Sequence, residues 1–408
     1  MLAETLFPLI DFDWFHREEL PARIAAGHGA LASAALSAAR PLAVRLTSGE
    51  GYTYVPGRGT VSIEAGTSTA DTVVEMDAGT WSDYLNEMRS AFGLLYAQLV
   101  RCPRGSLDEL IAWEPAIRAL YTGRAVYDPA AVSLTGIDGS PLDLQRTFRV
   151  DSPAEEIAHF VRAAGFVHVR GVFDAGEIAE LVSEVEHLQA MARPGDDRSW
   201  WAETDDGTEV CCRLTFINER APSTARLHTD PRVVALVDAV RGEAPLAIQD
   251  TRGDGDTVVI KNPGAVKGLS DLPWHVDCGL GGHPVMCPGI NLGIQLDAAT
   301  AESGQLHFLA GSNGRTAFHL PADRLAGAAY PTVAVTTEPG DVTIHWNDTL
   351  HAAPSPSGCG AGRRALYLSF NNPRIADVIP EGSGYNDVVL RSGEGNRVLS
   401  VEDQLAPT

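Results

Sequence analysis

The stretch Trp274-His275-Val276-Asp277 constrains this chain more than any other part of it. Residues two apart on a β-strand point to the same face, so His275 and Asp277 would project together while Trp274 and Val276 face away. The second face, with Leu272, is apolar and is expected to pack outward against helices. An ionised carboxylate on an inward face is costly without a counter-charge, so a metal or a cation is expected beside Asp277. A distant histidine, His351, follows the Gly340-Asp341 turn and an apolar strand and lies in a Pro-rich loop. His275, Asp277 and His351 together make a 2-His-1-carboxylate set, which binds Fe(II) and leaves positions open. His345 is the rival for the third position, but inside the strand beside Trp346 it reads better as a core or supporting histidine. His307 and His319 lack comparable context, and His283 is a candidate for touching substrate.

Alternation also sorts the residues around that set. Arg363 would share a face with Ala365, Tyr367 and Ser369, and Arg364 with Leu366, Leu368 and Phe370. The smaller, more polar face suits a barrel interior, so Arg363 points inward, where a guanidinium can hold a carboxylate through two charged hydrogen bonds. In Gly289 to Asp297, the residues Asn291, Gly293 and Gln295 form a polar face opposite Ile290, Leu292, Ile294 and Leu296. Asn291 and Gln295 are candidates for binding a cosubstrate or substrate.

The elements around these residues predict two units. From Thr257 onward, short alternating runs separated by turn residues (257–261, 289–297, 305–309, 332–336, 341–346 and 364–370) predict a mainly β double-stranded β-helix of the jelly-roll or cupin type. Flanking helices precede it. Ser152-Pro153-Ala154-Glu155 reads as a capping box with Pro at the first helical position, Gly165 ends that helix, and Asp174 with Glu177 opens the next. Residues 151–408 would form this unit and residues 131–150 a linker. Residues 1–130 read as a small α+β domain with strands at 60–63 and 71–76, a helix from Trp81 to Leu95, and further helices at 106–112 and 114–121.

Composition excludes some partners. With 53 acidic against 31 basic residues and a net charge of −22, the chain has no surface suited to nucleic acid or anionic lipid. No run of 18 apolar residues exists to span a membrane, and no basic leader precedes an apolar stretch. The six cysteines contain no C-x-x-C pair, which points to reduced thiols in the cytoplasm.

Taken together, the motifs resemble the phytanoyl-CoA dioxygenase family of Fe(II)/2-oxoglutarate oxygenases over about residues 151–375. They are Gly165-Phe166-Val167-His168-Val169-Arg170-Gly171-Val172-Phe173, Ile260-Lys261-Asn262-Pro263-Gly264, His275-Val276-Asp277, Glu302-Ser303-Gly304-Gln305-Leu306, Gly340-Asp341 with His351, and Arg363-Arg364-Ala365. The resemblance implies that His275, Asp277 and His351 are iron ligands and that Arg363 anchors 2-oxoglutarate, with Thr257 and Gly293 near the cosubstrate. It implies Fe(II), 2-oxoglutarate and O2 as cofactor and cosubstrates, with succinate and CO2 as coproducts. Because Asp277 is present, where related halogenases lack the carboxylate, hydroxylation or another outcome of hydrogen abstraction is implied. Two departures stand out: Ala310-Gly311-Ser312-Asn313 replaces the usual Pro-Gly-Ser-His turn, and the long interval from His351 to Arg363 keeps Arg364 in play as the anchor.

The N-terminal stretch from Val73 to Tyr84, with 94–118, resembles the sterol-carrier-like lipid-binding fold. That resemblance is the motive for expecting a hydrophobic small-molecule substrate, free or tethered to CoA or a carrier protein, with secondary-metabolite biosynthesis as the setting. The competing expectation is a lipid or ligand carrier whose jelly roll no longer catalyses.

Overall fold

The computed structural model describes residues 8–242, 244, 246–248, 255–267, 272–277, 279, 289–316, 330–357, 361–373 and 384–390. His283 and His319 lie outside the described residues.

A helical run over 12–33 precedes a five-stranded sheet built from β1 (Leu42–Leu46), β2 (Gly51–Gly57), β3 (Thr60–Ala65), β4 (Thr72–Met76) and β5 (Arg101–Arg104), in the order β3-β2-β1-β4-β5. Its apolar face packs on Trp81, Trp113, Ile117 and Leu120, which with Phe15 and Tyr54 make a separate core. The single helix expected from Trp81 to Leu95 is two, Ala78–Leu85 and Ala91–Tyr96. Glu87 breaks it with φ 62, and the Ser90 side chain caps the second by accepting from the Gly93 N–H. Conversely, the two helices expected at 106–121 are one, Leu107–Thr122, which continues through Pro115. Burial of Leu110, Trp113, Ala116, Ile117 and Leu120 along one side outweighs the backbone hydrogen bond that the proline removes.

The remaining strands are β6 (Phe166–Val169), β7 (Ser199–Thr204), β8 (Glu209–Leu214), β9 (Ala247–Ile248), β10 (Thr257–Lys261), β11 (Ala265–Lys267), β12 (Leu272–His275), β13 (Ile290–Gln295), β14 (Leu306–Leu309), β15 (Thr332–Val335), β16 (Val342–Trp346), β17 (His351–Ala353) and β18 (Arg363–Asn371). They form a large sheet, β11-β7-β8-β10-β18-β13-β16-β6 with β9 beside β18, and a small one, β12-β17-β14-β15. The architecture is a mainly β double-stranded β-helix with flanking helices. Alternation explains its layering. Leu292, Ile294, Leu366, Leu368, Val342 and Ile344 leave the large sheet on its outer face and pack with Phe160, Val161, Leu181, Val185 and Leu188 of the helices Ala154–Ala164 and Ala175–Met191. Each such buried side chain contributes roughly 1.5–3 kcal/mol. The opposite face of the same strands carries Asn291, Thr343, His345, Arg363, Tyr367 and Ser369.

Two expectations about helix starts resolve differently. Asp174 and Glu177 form the capping box foreseen for 174–177. At 152–155 no box forms, because Pro153 is itself the cap residue and the Ser152 hydroxyl accepts from the Arg149 N–H. The Gly340-Asp341 motif fastens β16 to β6: Asp341 accepts from the Gly171 and Glu338 N–H groups and pairs with His168 at 2.8 Å. Residues 131–150 lie against the jelly roll, with Phe148 buried on Phe160 and bridged to Val169. Among the described residues no helix is long and apolar enough to cross a membrane.

Candidate metal centre

His275 ends β12 and His351 opens β17, and these antiparallel strands pair the two residues directly. Asp277 lies two residues beyond β12, fixed by its N–H, which donates to the Asn347 carbonyl at 2.8 Å. One ligand atom from each of His275, Asp277 and His351 lies within 4.8 Å of the other two. Both imidazoles place Nε2 near the same oxygen, Asp277 Oδ1, at 3.6 Å for His275 and 3.7 Å for His351.

Hydrogen bonding behind the rings decides which nitrogen is available. His275 Nδ1 lies 2.7 Å from the Pro273 carbonyl and His351 Nδ1 2.9 Å from the Thr349 carbonyl. A carbonyl only accepts, so each Nδ1 carries the proton and each Nε2 presents its lone pair inward. The carboxylate is divided in the same way. Asp277 Oδ2 receives Asn291 Nδ2 at 2.8 Å and faces His345 Nε2 at 3.2 Å, which leaves Oδ1 for a metal. Burial works to raise the Asp277 carboxyl's pKa, yet the His351, His275 and His345 imidazoles hold it well below the carboxylate range. Burial, with those of His275 and His345, pushes the His351 imidazole down to about 3 against the pull of Asp277. Three donors with unprotonated inward atoms fit a divalent metal.

His345 is the neighbour of this set. It pairs with Asn291 across β16 and β13, and its Nδ1 is buried without a hydrogen-bond partner.

Arg363 and Arg364 part as alternation requires. Arg364 faces outward into Asp297 and Glu186, at 2.8 and 3.0 Å. Arg363 is 2% exposed, lines the cavity, and donates through Nε to the Gly304 carbonyl at 2.8 Å. Gly304 sits at φ +75, where a Cβ would strike the Pro354 carbonyl, so the Glu302–Leu306 motif supplies a turn that only glycine enters easily. Arg363 Nη1 is buried without a partner, which fits a carboxylate arriving from the cavity.

Asn291 and Thr257 also line the cavity, whereas Gln295 is not among its lining residues. The Gln295 amide turns instead to the Gly293 carbonyl and Thr343 Oγ1, at 3.3 and 3.4 Å. Leu272, expected outward, lines the cavity because a register shift between Leu272 and His275 breaks the alternation. The outward residues Trp274 and Val276 meet Tyr127, Leu309 and Leu350 rather than helices. Sequence reasoning missed Arg213, which lines the cavity from β8, reaches Thr257 Oγ1 at 3.3 Å and stacks on Trp200. A charge inside the apolar run Val210–Leu214 was the available signal.

A jelly roll with this donor set defines a metal-dependent oxygenase. Residues 161–365, half of the chain, match the family model described as phytanoyl-CoA dioxygenase (PhyH), and the chain belongs to that family. Similar solved structures include AviO1 from Streptomyces viridochromogenes Tue57, at 25% identity over 53% of this chain and 94% of that one, with a TM-score of 0.42. EctD from S. alaskensis with bound Fe aligns at 21% identity over 61% and 83% of the two chains, with a TM-score of 0.44. HygX from Streptomyces hygroscopicus, with nickel and 2-oxoglutarate bound, aligns at 18% identity over 53% and 85%, with a TM-score of 0.40. The search of curated proteins finds no match.

Proposed function

We propose that this chain is an Fe(II)- and 2-oxoglutarate-dependent oxygenase that oxidises a hydrophobic small molecule by hydrogen abstraction, with hydroxylation as its outcome. The carrying observation is the donor set itself: His275 and His351 with Nδ1 tied to carbonyls and Nε2 turned inward, facing one free oxygen of Asp277. In this reading His275, Asp277 and His351 hold the iron and Arg363 binds the far carboxylate of 2-oxoglutarate. Thr257 and Asn291 border the same space, and Asn291 with His345 keeps Asp277 Oδ2 turned away from the metal. Iron held there would, with 2-oxoglutarate and O2, supply the oxidising chemistry, one oxygen atom of O2 going to the cosubstrate, which leaves as succinate and CO2, and the other to the substrate. The chain's own contribution is orientation and exclusion of water. Val259, Leu272, Leu306 and Ala353 add apolar surface to a cavity otherwise lined by polar side chains, which is the structural support for a substrate with a hydrophobic part.

The test is an anaerobic titration of the metal-free protein with Fe(II) and then 2-oxoglutarate, following the weak visible charge-transfer band of the chelate. A band in the wild type that is lost in Asp277→Ala supports the assignment. Iron binding without a band would move the reading to an oxygenase with another cosubstrate. No iron binding would leave a carrier with an inactive jelly roll.

A further inference from the structure

The family match begins at residue 161, yet the segments that carry the metal ligands are gripped by residues that precede it. Tyr127 is buried in a small cluster with Val276, Leu309 and Leu350. Val276 lies between His275 and Asp277, and Leu350 immediately precedes His351. The ring therefore backs both ligand-bearing segments from the side opposite the metal. Its hydroxyl donates to the Ala310 carbonyl at 2.9 Å, and its N–H to the Thr316 carbonyl at 3.2 Å.

Ser90 makes the second grip. It is fully buried, and both its N–H and its hydroxyl donate to the Gly279 carbonyl, at 2.8 and 3.1 Å. Gly279 lies two residues past Asp277. Ser90 is itself held from behind. It caps the helix Ala91–Tyr96, whose first N–H donates to Glu114 at 2.9 Å, and Glu114 pairs with Arg118 in a fully buried ion pair.

We infer that Tyr127 and Ser90 are positioning residues for the metal ligands, so that the segment before the family match completes the metal centre. This rests on the metal site proposed above. A ligand set held at its working spacing before metal arrives has less ordering to lose on binding. Without the Tyr127 ring, a void opens under Val276 and Leu350, and β12 and β17 are free to shift relative to each other.

The experiment measures Fe(II) affinity by anaerobic equilibrium dialysis, and hydrogen exchange at the Asp277 and His351 amides in the metal-free full-length protein. The variants are Tyr127→Ala, Tyr127→Phe and Ser90→Ala. Val185→Ala, which opens a void in the core under the helix Ala175–Met191, is the control for general destabilisation. Tyr127→Ala is expected to weaken Fe(II) binding by about tenfold or more and to speed exchange at both amides. Val185→Ala should lower Tm without changing either readout. Tyr127→Phe keeps the ring and loses only the bond to Ala310, so it remains informative if the alanine variant fails to fold; it should weaken Fe(II) by roughly two- to tenfold. Ser90→Ala retains the backbone donor to Gly279 and should fall in the same range. Wild-type affinity in the Tyr127 variants, or a loss no greater than in Val185→Ala, overturns the inference. Failure of the wild type to bind Fe(II) would instead overturn the metal assignment itself.

Discussion

Arg363 and Arg364 are adjacent in the chain and face opposite environments, and the difference is measurable. Arg364 is held by Asp297 and Glu186 on the outer face, whereas Arg363 presents a buried, unpartnered Nη1 to the cavity. Arg363→Ala is expected to raise the KM for 2-oxoglutarate by roughly 10- to 150-fold, the loss of a charged hydrogen-bonding interaction of about 1.5–3 kcal/mol. Arg364→Ala should leave that KM unchanged and lower Tm modestly, since its ion pairs are partly exposed. Equal effects on KM would refute the assignment of Arg363 as the anchor. Strand alternation puts these two residues on opposite faces, as the structure has them, although Asp277 lies beyond the end of β12 and is held beside His275 by its N–H bond to the Asn347 carbonyl. What alternation could not show is how Asp277 shares its oxygens, because Asn291 and His345 reach it from two other strands, β13 and β16. The charge of Arg213 within an apolar run marked it locally, but nothing local says that β8 lies next to β10, so its place at the cavity was not legible.

At the scale of elements, β13 shows how one strand serves two layers. Ile290, Leu292 and Ile294 are buried in the core beneath the helices, while Asn291 donates to Asp277 and Gly293 leaves room for a ring. A Cβ on Gly293 would lie 2.7 Å from Tyr367 Cε1 and 3.1 Å from Thr343 Oγ1. Gly293→Ala therefore has to displace the Tyr367 ring, which lines the cavity four residues from Arg363 on the same strand. The expected result is a several-fold weaker 2-oxoglutarate affinity by titration and a loss of about 1–3 kcal/mol in stability from overpacking. If neither changes, Tyr367 has space elsewhere and β13 does not shape the cosubstrate site. The strands from Thr257 onward were legible because their period of two was regular. The shift between Leu272 and His275 was not, since a bulge adds no residue type of its own. The break at Glu87 was masked by apolar residues that keep helical spacing on both sides of it.

At the scale of the molecule, the N-terminal core contains a buried polar relay whose titration the rest of the fold must tolerate. His16 is 2% exposed and stacks on Tyr52; its Nδ1 lies 2.7 Å from the Phe12 carbonyl and its Nε2 2.7 Å from the Tyr54 hydroxyl. Tyr54 in turn meets Tyr121 at 2.7 Å. Because Phe12 can only accept, Nδ1 donates and Nε2 accepts from Tyr54, which is the neutral tautomer. Burial pushes the His16 imidazole down to about 4, against the opposing effects of the Phe12 carbonyl and Asp13. The unfolded chain, with an ordinary pKa near 6.5, takes up the proton first as pH falls. Folding is thus favoured by this group above about pH 6.5, and that advantage declines between 6.5 and 4 by on the order of 3 kcal/mol. His16→Phe removes the titration and leaves Tyr54 and Phe12 without their partner, a roughly constant cost of about 1–3 kcal/mol. Denaturant unfolding of wild type and variant should then show wild type the more stable at pH 7 and the gap closing or reversing by pH 4. The His351 imidazole, which burial also pushes down, acts in the same direction in both proteins and cancels in the difference. A gap that stays constant from pH 7 to pH 4 would mean that burial does not lower the His16 pKa in the folded protein.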